Sequence, residues 1–383
     1  MDFNLTDEQN ILKDSVTKFV ADNYELESRR KYLQEEHAFS AENWQQFAEL
    51  GWLSVPFSEE LGGFGGSAVD LMVFMEEMGK GLVVEPYLAT VLLFGGALAE
   101  GASKELQERL IPQIIDGSVQ GALAYHERDS RYSLSDVATS AEKSADGFVL
   151  NGEKTVVYNG IAADKIVISA RTSGDRRDES GISLFLVDAT AEGLSRTGYT
   201  MMDGQRVANV SLTNVSVSVD QLVSELDNGL AVLDALTNNA LVALAAEAQG
   251  LMQVLYESTV EYSKTREQFS VPIGSFQALQ HRMVDMFGAC ELHRSLLYRA
   301  VCSMDEDDAN KDPLDVAKNM HALKTTVGRA GKQIGAEAIQ IHGGMGMTDE
   351  LAIGHYVKRL MMINTCLGDA DHHQRLFAEL AKA

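Results

Sequence analysis

The hydrophobic period of this 383-residue chain changes twice, and that change limits the possible fold more than any single motif does. Up to about residue 120, apolar residues recur at the 3.6-residue spacing of helices. From about 121 to 226 they alternate in short β-branched runs, and from about 227 onward the helical period returns in longer stretches. Strands that follow one another without intervening helices exclude a doubly wound parallel sheet, in which each crossover is normally a helix. The pattern predicts a mainly α chain with a central antiparallel β domain. Its segments are an N-terminal helical domain over 1–120, a β barrel or sandwich over 121–226, and a C-terminal four-helix bundle over 227–383.

Local signals fill in each segment. Thr6 and Gln9 form a capping box, after which Ile11, Leu12, Val16, Phe19 and Val20 share a helix face. Ser40 caps a second helix carrying Trp44, Phe47 and Leu50, which Gly51 ends. Leu71, Met72, Met75 and Met78 mark a third, and Leu106, Leu110, Ile114 and Ile115 a fourth. The string Leu61-Gly-Gly-Phe-Gly-Gly66 lacks both a preceding strand and a following Lys-Ser/Thr, so it reads as a tight turn, not a phosphate loop. Asn151-Gly152 between apolar runs reads as a type I′ hairpin turn, and 165–170, 182–187 and 207–217 read as further strands. Long helices follow over 228–266, 276–304 and 314–339, with a last helix or pair over 350–382 and an acidic connector over 305–312.

Composition narrows the function. Thirty-two basic against fifty-six acidic residues leave a net charge of −24, a field that repels nucleic acid and anionic membrane surfaces. Any phosphate site must therefore be built from backbone amides or a few placed cations. No apolar run reads as a membrane span, and Met-Asp-Phe-Asn-Leu-Thr lacks the start of a signal peptide. Cys290, Cys302 and Cys366 are odd in number and widely spaced, which fits neither a disulfide framework nor a zinc-thiolate site, so the expected home is the cytoplasm. Adjacent His372 and His373, with Asp369 and Asp371, do not form a metal-binding pattern, and His126-Glu127 gives none either. Met361 and Met362 read as core.

Several strings, in order, resemble the acyl-CoA dehydrogenase family over nearly the whole chain. They are Asp2-Phe-x-Leu-Thr-x-Glu-Gln9, Leu50-Gly-Trp-Leu53, Gly62-Gly-Phe-Gly65 and Leu150-Asn-Gly-Glu-Lys154. Later come Thr265-Arg-x-Gln-Phe269, Pro272-Ile-Gly-x-Phe-Gln277 and Gln340-Ile-His-Gly-Gly344. The resemblance implies FAD-dependent α,β-desaturation of an acyl-CoA, in which a carboxylate takes the α-proton and the flavin takes the β-hydride. It also implies electron transfer flavoprotein as oxidant, and a flavin whose adenosine end reaches a neighbouring subunit's bundle.

By the same resemblance, Arg266 meets the flavin pyrophosphate as a forked, permanent cation. Gln268, Phe269, Ile273 and Gln277 line the cofactor, and Gln340, Gly343 and Gly344 form a turn open to close backbone approach. The β-domain half departs from the family. The small-residue string that holds the flavin ring reads Ala124-Tyr-His-Glu-Arg-Asp-Ser130, and the family's Trp-Ile-Thr reads Val156-Val157-Tyr158. Both usual positions of the general base lack a proton acceptor, since Leu367 fills one and Ala240 the other. Asp369, two residues on, and Glu247, about two helical turns on, are the substitutes at hand, with a helix-cap Asp and a paired bundle Glu as the plainer readings. The segments Arg131-Tyr-x-Leu-x-Asp-Val-Ala138 and Gly368-Asp-Ala-Asp-His-His373 are similar to small subunits of two-chain members that take dicarboxylyl-CoA. This implies the small subunit of an α2β2 enzyme completing the FAD site of a base-bearing second chain. Bulky alicyclic or steroid-derived CoA esters are competing substrates. A self-sufficient homo-oligomer using Asp369 or Glu247, and a non-catalytic scaffold, are the rival readings.

Overall fold

The computed structural model describes residues 4–304 and 312–382. The acidic connector expected over 305–312 lies, but for Asp312, outside the described residues. The chain divides into two compact units, one comprising 1–30, 67–83 and 241–383, the other 31–66 and 84–240.

The helices of the first third are α1 (Asp7–Asn23), α2 (Leu26–Gln34), α3 (Ala41–Glu49), α4 (Ala68–Lys80), α5 (Gly96–Gly101) and α6 (Lys104–Ile115). Their starts follow the capping chemistry of the sequence. Thr6 and Gln9 exchange hydrogen bonds at 3.2 and 3.0 Å, Ser40 accepts from the Asn43 amide, and Ser103 caps α6. A π-helical turn, Leu88–Gly95, precedes α5; the sequence pattern did not announce it, because an almost wholly apolar run has no periodicity to read. The glycine-rich string after α3 is a tight turn as expected. A Cβ on Gly63 would stand 2.0 Å from the Phe57 carbonyl oxygen.

The second unit holds a seven-stranded sheet: β1 (Gly121–Ala124), β2 (Ser140–Lys143), β3 (Gly147–Tyr158), β4 (Lys165–Arg171), β5 (Ile182–Asp188), β6 (Leu194–Thr200) and β7 (Arg206–Ser218). The order is β1-β4-β2-β3-β7-β6, with β5 on β4. It is mostly antiparallel, as expected, with β1 and β2 each pairing parallel with β4. Leu150, Ile166, Ile168, Phe185, Val210 and Val215 form its fully buried core.

The hairpin expected at Asn151-Gly152 is a correction. β3 runs unbroken through that dipeptide, and the register against β7 shifts between Leu150 and Gly152, which makes the site a β-bulge. Gly152 has φ +147°, and a Cβ there would stand 2.7 Å from the Thr139 backbone. The reversal lies five residues earlier, between β2 and β3, where the Ser144 amide donates to the Gly147 carbonyl across Asp146-Gly147. Asn-Gly and Asp-Gly both favour positive φ, so the dipeptide alone could not say which one turned the chain.

The bundle consists of α7 (Gly229–Thr265), α8 (Gln277–Cys302), α9 (Pro313–His342), α10 (Ile353–Thr365) and α11 (Ala370–Leu380), with a two-strand ribbon, β8 (Glu267–Gln268) and β9 (Val271–Pro272), between α7 and α8. Two glycines let α4 and α7 cross closely. A Cβ on Gly79 would lie 2.2 Å from the Glu247 carbonyl oxygen, and one on Gly250 2.1 Å from that of Glu76. The sequence reading found no span-length apolar segment, but α7 is long and apolar enough to cross a membrane by length and composition alone. Most of its apolar window is buried within the protein, as in a core helix. Met361, expected in the core, is half exposed.

Candidate active site

The residues implied by resemblance fall in three groups, each described by itself. The first is built where α7 ends. The Arg266 amide closes the last turn on the Tyr262 carbonyl at 2.9 Å, and the Arg266 carbonyl accepts from the Ile273 amide at 2.8 Å. Between them, β8 and β9 form a ribbon whose two turn residues, Phe269 (φ +55°) and Ser270 (φ +66°), are both left-handed. Neither is a residue that favours this region, so the turn is strained by roughly 1–3 kcal/mol per residue. Phe269 stands 90% exposed at the tip, edge-on to Phe276 at 6.2 Å, while Ile273 is buried beneath. Gln268 lies on β8 and Gln277 opens α8, both exposed.

The end of α9 meets this ribbon's base. His342 stacks on Tyr262 at 4.3 Å between ring centres and 26° between planes. Its Nδ1–H donates to the Ala338 carbonyl at 2.8 Å, and burial holds its pKa below the ordinary histidine value. Gln340, Gly343 and Gly344 are exposed beside it. Gly343 sits at φ +62°, ψ −138°, and a Cβ on either glycine would meet nothing within 4 Å. The sequence motifs thus come together through Tyr262 and His342, a pair that sequence reasoning did not single out. The available signal was spacing, since Tyr262 lies one helical turn before Arg266 and His342 lies inside the Gln340–Gly344 string.

This arrangement fits a dinucleotide tail. It offers an exposed guanidinium, bare backbone at two glycines and an aromatic edge, on a surface where a net charge of −24 gives no general attraction to phosphate.

The second place is the β-domain loop over 125–139. Glu127 is buried there and accepts from Lys154 Nζ at 2.7 Å, the Thr139 hydroxyl at 2.7 Å, and the Ala138 and Thr139 amides at 2.8 and 3.0 Å. Lys154 is wholly buried, also donates to the Ser169 hydroxyl at 3.0 Å, and is pulled down by burial to about 8. His126 Nδ1 lies 3.1 Å from the Thr155 hydroxyl. This saturated network pins a bulky loop against β3 and β4. Next to it Val156 has φ +53°, rare for a β-branched residue, at the second register shift of β3. A small-residue cradle for a flavin ring is not what these side chains build.

The positions at which the resemblance expects a base lie on separate elements. Ala240 is fully buried on α7. Leu367, at φ +56°, precedes Gly368, at φ +104°, in the turn between α10 and α11. Asp369 caps α11, accepting from the His372 amide at 2.8 Å. Glu247 is buried and forked by Arg359, Oε1 to Nε at 2.5 Å and Oε2 to Nη2 at 2.8 Å. Both carboxylates hold structural partners in this geometry. Among the described residues no group of three or more His, Cys, Asp or Glu is arranged to hold a metal ion.

Helical domain, β sheet and bundle with this dinucleotide-type ribbon define a flavin-dependent oxidoreductase acting on CH–CH bonds of acyl-CoA substrates. The chain belongs to the acyl-CoA dehydrogenase family. It matches that family's N-terminal domain over 6–118, its middle domain over 122–215 and its C-terminal domain over 227–380, and the family's cofactor, FAD, is its own. Probable acyl-CoA dehydrogenase YngJ of Bacillus subtilis is 27% identical over 99% of both chains. Isovaleryl-CoA dehydrogenase of Arabidopsis thaliana is 28% identical over 92% of this chain and 86% of its own. Among solved structures, the ChsE4-ChsE5 complex from Mycobacterium tuberculosis contains a chain 27% identical, with full coverage of both and a TM-score of 0.87. A variant of the Tcur3481-Tcur3483 steroid ACAD is likewise 27% identical over 98% of each chain, with a TM-score of 0.85.

Proposed function

We propose that this chain is the small subunit of a two-chain, FAD-dependent acyl-CoA dehydrogenase, and that its bundle completes the flavin site of a base-bearing partner in an α2β2 assembly. One contrast carries the reading. The ribbon at Arg266 keeps the residues that the resemblance expects of a nucleotide site, while the expected base positions hold Leu367 and Ala240 and the substitute carboxylates, Glu247 and Asp369, are engaged by Arg359 and by the α11 cap. Arg266 would hold the pyrophosphate, Gln268, Phe269, Ile273 and Gln277 would line the tail, and Gln340, Gly343 and Gly344 would admit its close approach. The hydride that leaves the β-carbon is taken by the flavin when it is bound. The α-proton goes to the partner's carboxylate, and this chain's task is to orient and shield the adenosine end.

Likeness to a chain of a two-component complex and to one described as a steroid enzyme supports a heteromer acting on a bulky CoA ester. The segments 131–138 and 368–373 resemble the small subunit of pimeloyl-CoA dehydrogenase and favour a dicarboxylyl-CoA instead. Electron transfer flavoprotein is the expected oxidant, and a β-oxidation step in the cytoplasm the expected setting.

Co-expression with a base-bearing homologous chain tests the proposal. The complex should purify yellow and bleach with substrate, and Arg266→Ala should strip most of its flavin without dissociating the chains. A yellow preparation of this chain alone that bleaches with an acyl-CoA would establish the self-sufficient enzyme instead. A colourless complex with every base-bearing candidate would establish a scaffold.

A further inference from the structure

The turn between α10 and α11 is held with more hydrogen bonds than a surface connection needs, and they converge from two sides. Lys324, fully buried on α9, donates from Nζ to the carbonyls of Ile363 at 2.9 Å, Asn364 at 2.9 Å and Gly368 at 2.6 Å. An ammonium has three protons and no acceptor, so three carbonyls satisfy it completely. Two of these carbonyls belong to the last turn of α10, where helix geometry leaves acceptors without intrahelical donors and the dipole favours a cation.

From the other side, His373 Nε2 lies 2.8 Å from the Leu367 carbonyl oxygen and must carry the proton there. Its Nδ1 is then the acceptor for His321 Nδ1–H, 3.0 Å away. A Cβ on Gly368 would stand 2.6 Å from His373 Nε2, so the imidazole closes directly over the turn. Leu367 is held left-handed at its centre, a conformation that leucine resists and that persists only where the surroundings over-determine it.

We propose that Lys324 is a positioning residue: its ammonium, with the His321–His373 pair, clamps the Leu367–Gly368 turn. The clamp sets where the Leu367 side chain stands, at the position where the family otherwise carries its base. This inference does not depend on the two-chain reading, because it concerns the backbone of this chain alone.

The charged surroundings decide when the clamp works. Lys324 faces Cys366 and Asp369; the imidazole pair faces Lys324 and His372; and His372 faces Arg375, Asp369 and Glu379. Burial pulls Lys324 down to about 8 and holds both His321 and His373 below the usual histidine value. Below about pH 8 the ammonium serves three carbonyls. Opening the turn returns the amine to water, where a lysine titrates at about 10.4, so above pH 8 opening takes up a proton that the closed turn does not hold, and the closed turn gains stability as pH rises.

Hydrogen exchange of the full chain tests this, read on the protected amides of Cys366, Ala370, His372 and His373 and corrected for intrinsic rates. Protection should stay level from about pH 6.5 and then step upward above pH 8, by up to about tenfold per pH unit, while α8 is unmoved. Lys324→Met should exchange faster at every pH and show no step. A wild-type profile without the step, or a step that survives in Lys324→Met, overturns the proposal. Should Lys324→Met not fold, the wild-type profile still decides. His373→Leu adds a second arm, in which the turn should loosen yet keep the step; unchanged exchange there would remove the imidazole pair from the clamp.

Discussion

If Glu247 is a structural partner and not a base, removing either member of its pair must cost the fold more than removing both. The pair is buried on both sides, with about 6% of the Glu247 side chain and 8% of Arg359 accessible, and its two contacts, at 2.5 and 2.8 Å, are forked. Gly79 brings α4 onto the α7 backbone at this residue, so the helices have little room to part and admit water. Stranding one buried charge in such a place costs about 3–5 kcal/mol, whereas replacing both partners with apolar side chains of similar volume is often neutral. Glu247→Leu and Arg359→Leu should therefore each lower the urea midpoint strongly. The double variant should recover most of the loss, giving a coupling energy of several kcal/mol in the cycle. The isosteric Glu247→Gln adds a functional arm, because it removes the proton acceptor while keeping the shape. A Glu247→Gln chain that unfolds like the wild type, in an enzyme that has lost desaturation, would refute the reasoning and make Glu247 the base.

Gly344 separates binding from folding. Its backbone is not left-handed and a Cβ there meets nothing within 4 Å, so Gly344→Val should leave the melting curve unchanged while weakening flavin retention in the complex. Gly343→Val should lose both, since φ +62° with ψ −138° is essentially a glycine conformation and costs a side chain about 1–3 kcal/mol. His293 predicts an acid limb. It is fully buried between α7 and α8 contacts, its Nδ1 lies 2.8 Å from Gln249, and burial pulls it down to about 3. The unfolded chain takes up a proton near pH 6.5 that the folded chain refuses until about pH 3. Stability from this group is therefore complete above 6.5 and falls toward 3, at up to about 1.4 kcal/mol per pH unit. His293→Gln should flatten that limb in pH-dependent urea titrations; an unchanged slope would show that His293 is not its source.

The sequence disclosed most where one physical rule acted alone. The caps at Thr6 and Ser40 and the long bundle helices follow from hydroxyl placement and apolar period. It disclosed least where two rules competed. Asn151-Gly152 satisfied hairpin chemistry, yet the pairing of β3 with β7 along its length outweighed the local preference, and the dipeptide became a bulge. β1, β2 and β6 escaped notice because the first two have only four residues each and β6 is largely exposed, so no alternation stood out. At the site, Arg266 and Gly343 were legible as motif residues. The Tyr262–His342 stack that joins them, the Glu127–Lys154 pair and the Lys324 clamp were not, because each joins positions distant in sequence through contacts that no period encodes.

The left-handed residues bear on the proposal that the ribbon holds a nucleotide tail while the β domain does not seat the ring. Phe269 and Ser270 hold a strained turn that exposes a phenyl ring almost completely, an arrangement that costs free energy and hides no apolar surface. Folding alone would favour Asn-Gly at those two positions. The exposed ring is explained if something flat and partly apolar covers it in the working assembly, as an adenosine would. Val156 is equally strained, but the saturated Glu127–Lys154 network beside it already gives every buried charge a partner within the fold. Strain facing solvent points outward to a ligand, and strain backed by a complete internal network points inward to packing. The prediction that follows is specific to the pair. Phe269→Asn with Ser270→Gly should stabilise the isolated chain by relieving the turn, at the expense of flavin in the complex. Val156→Gly should relax β3 and leave flavin content unmoved. Equal flavin loss from both substitutions would end the distinction between the two halves.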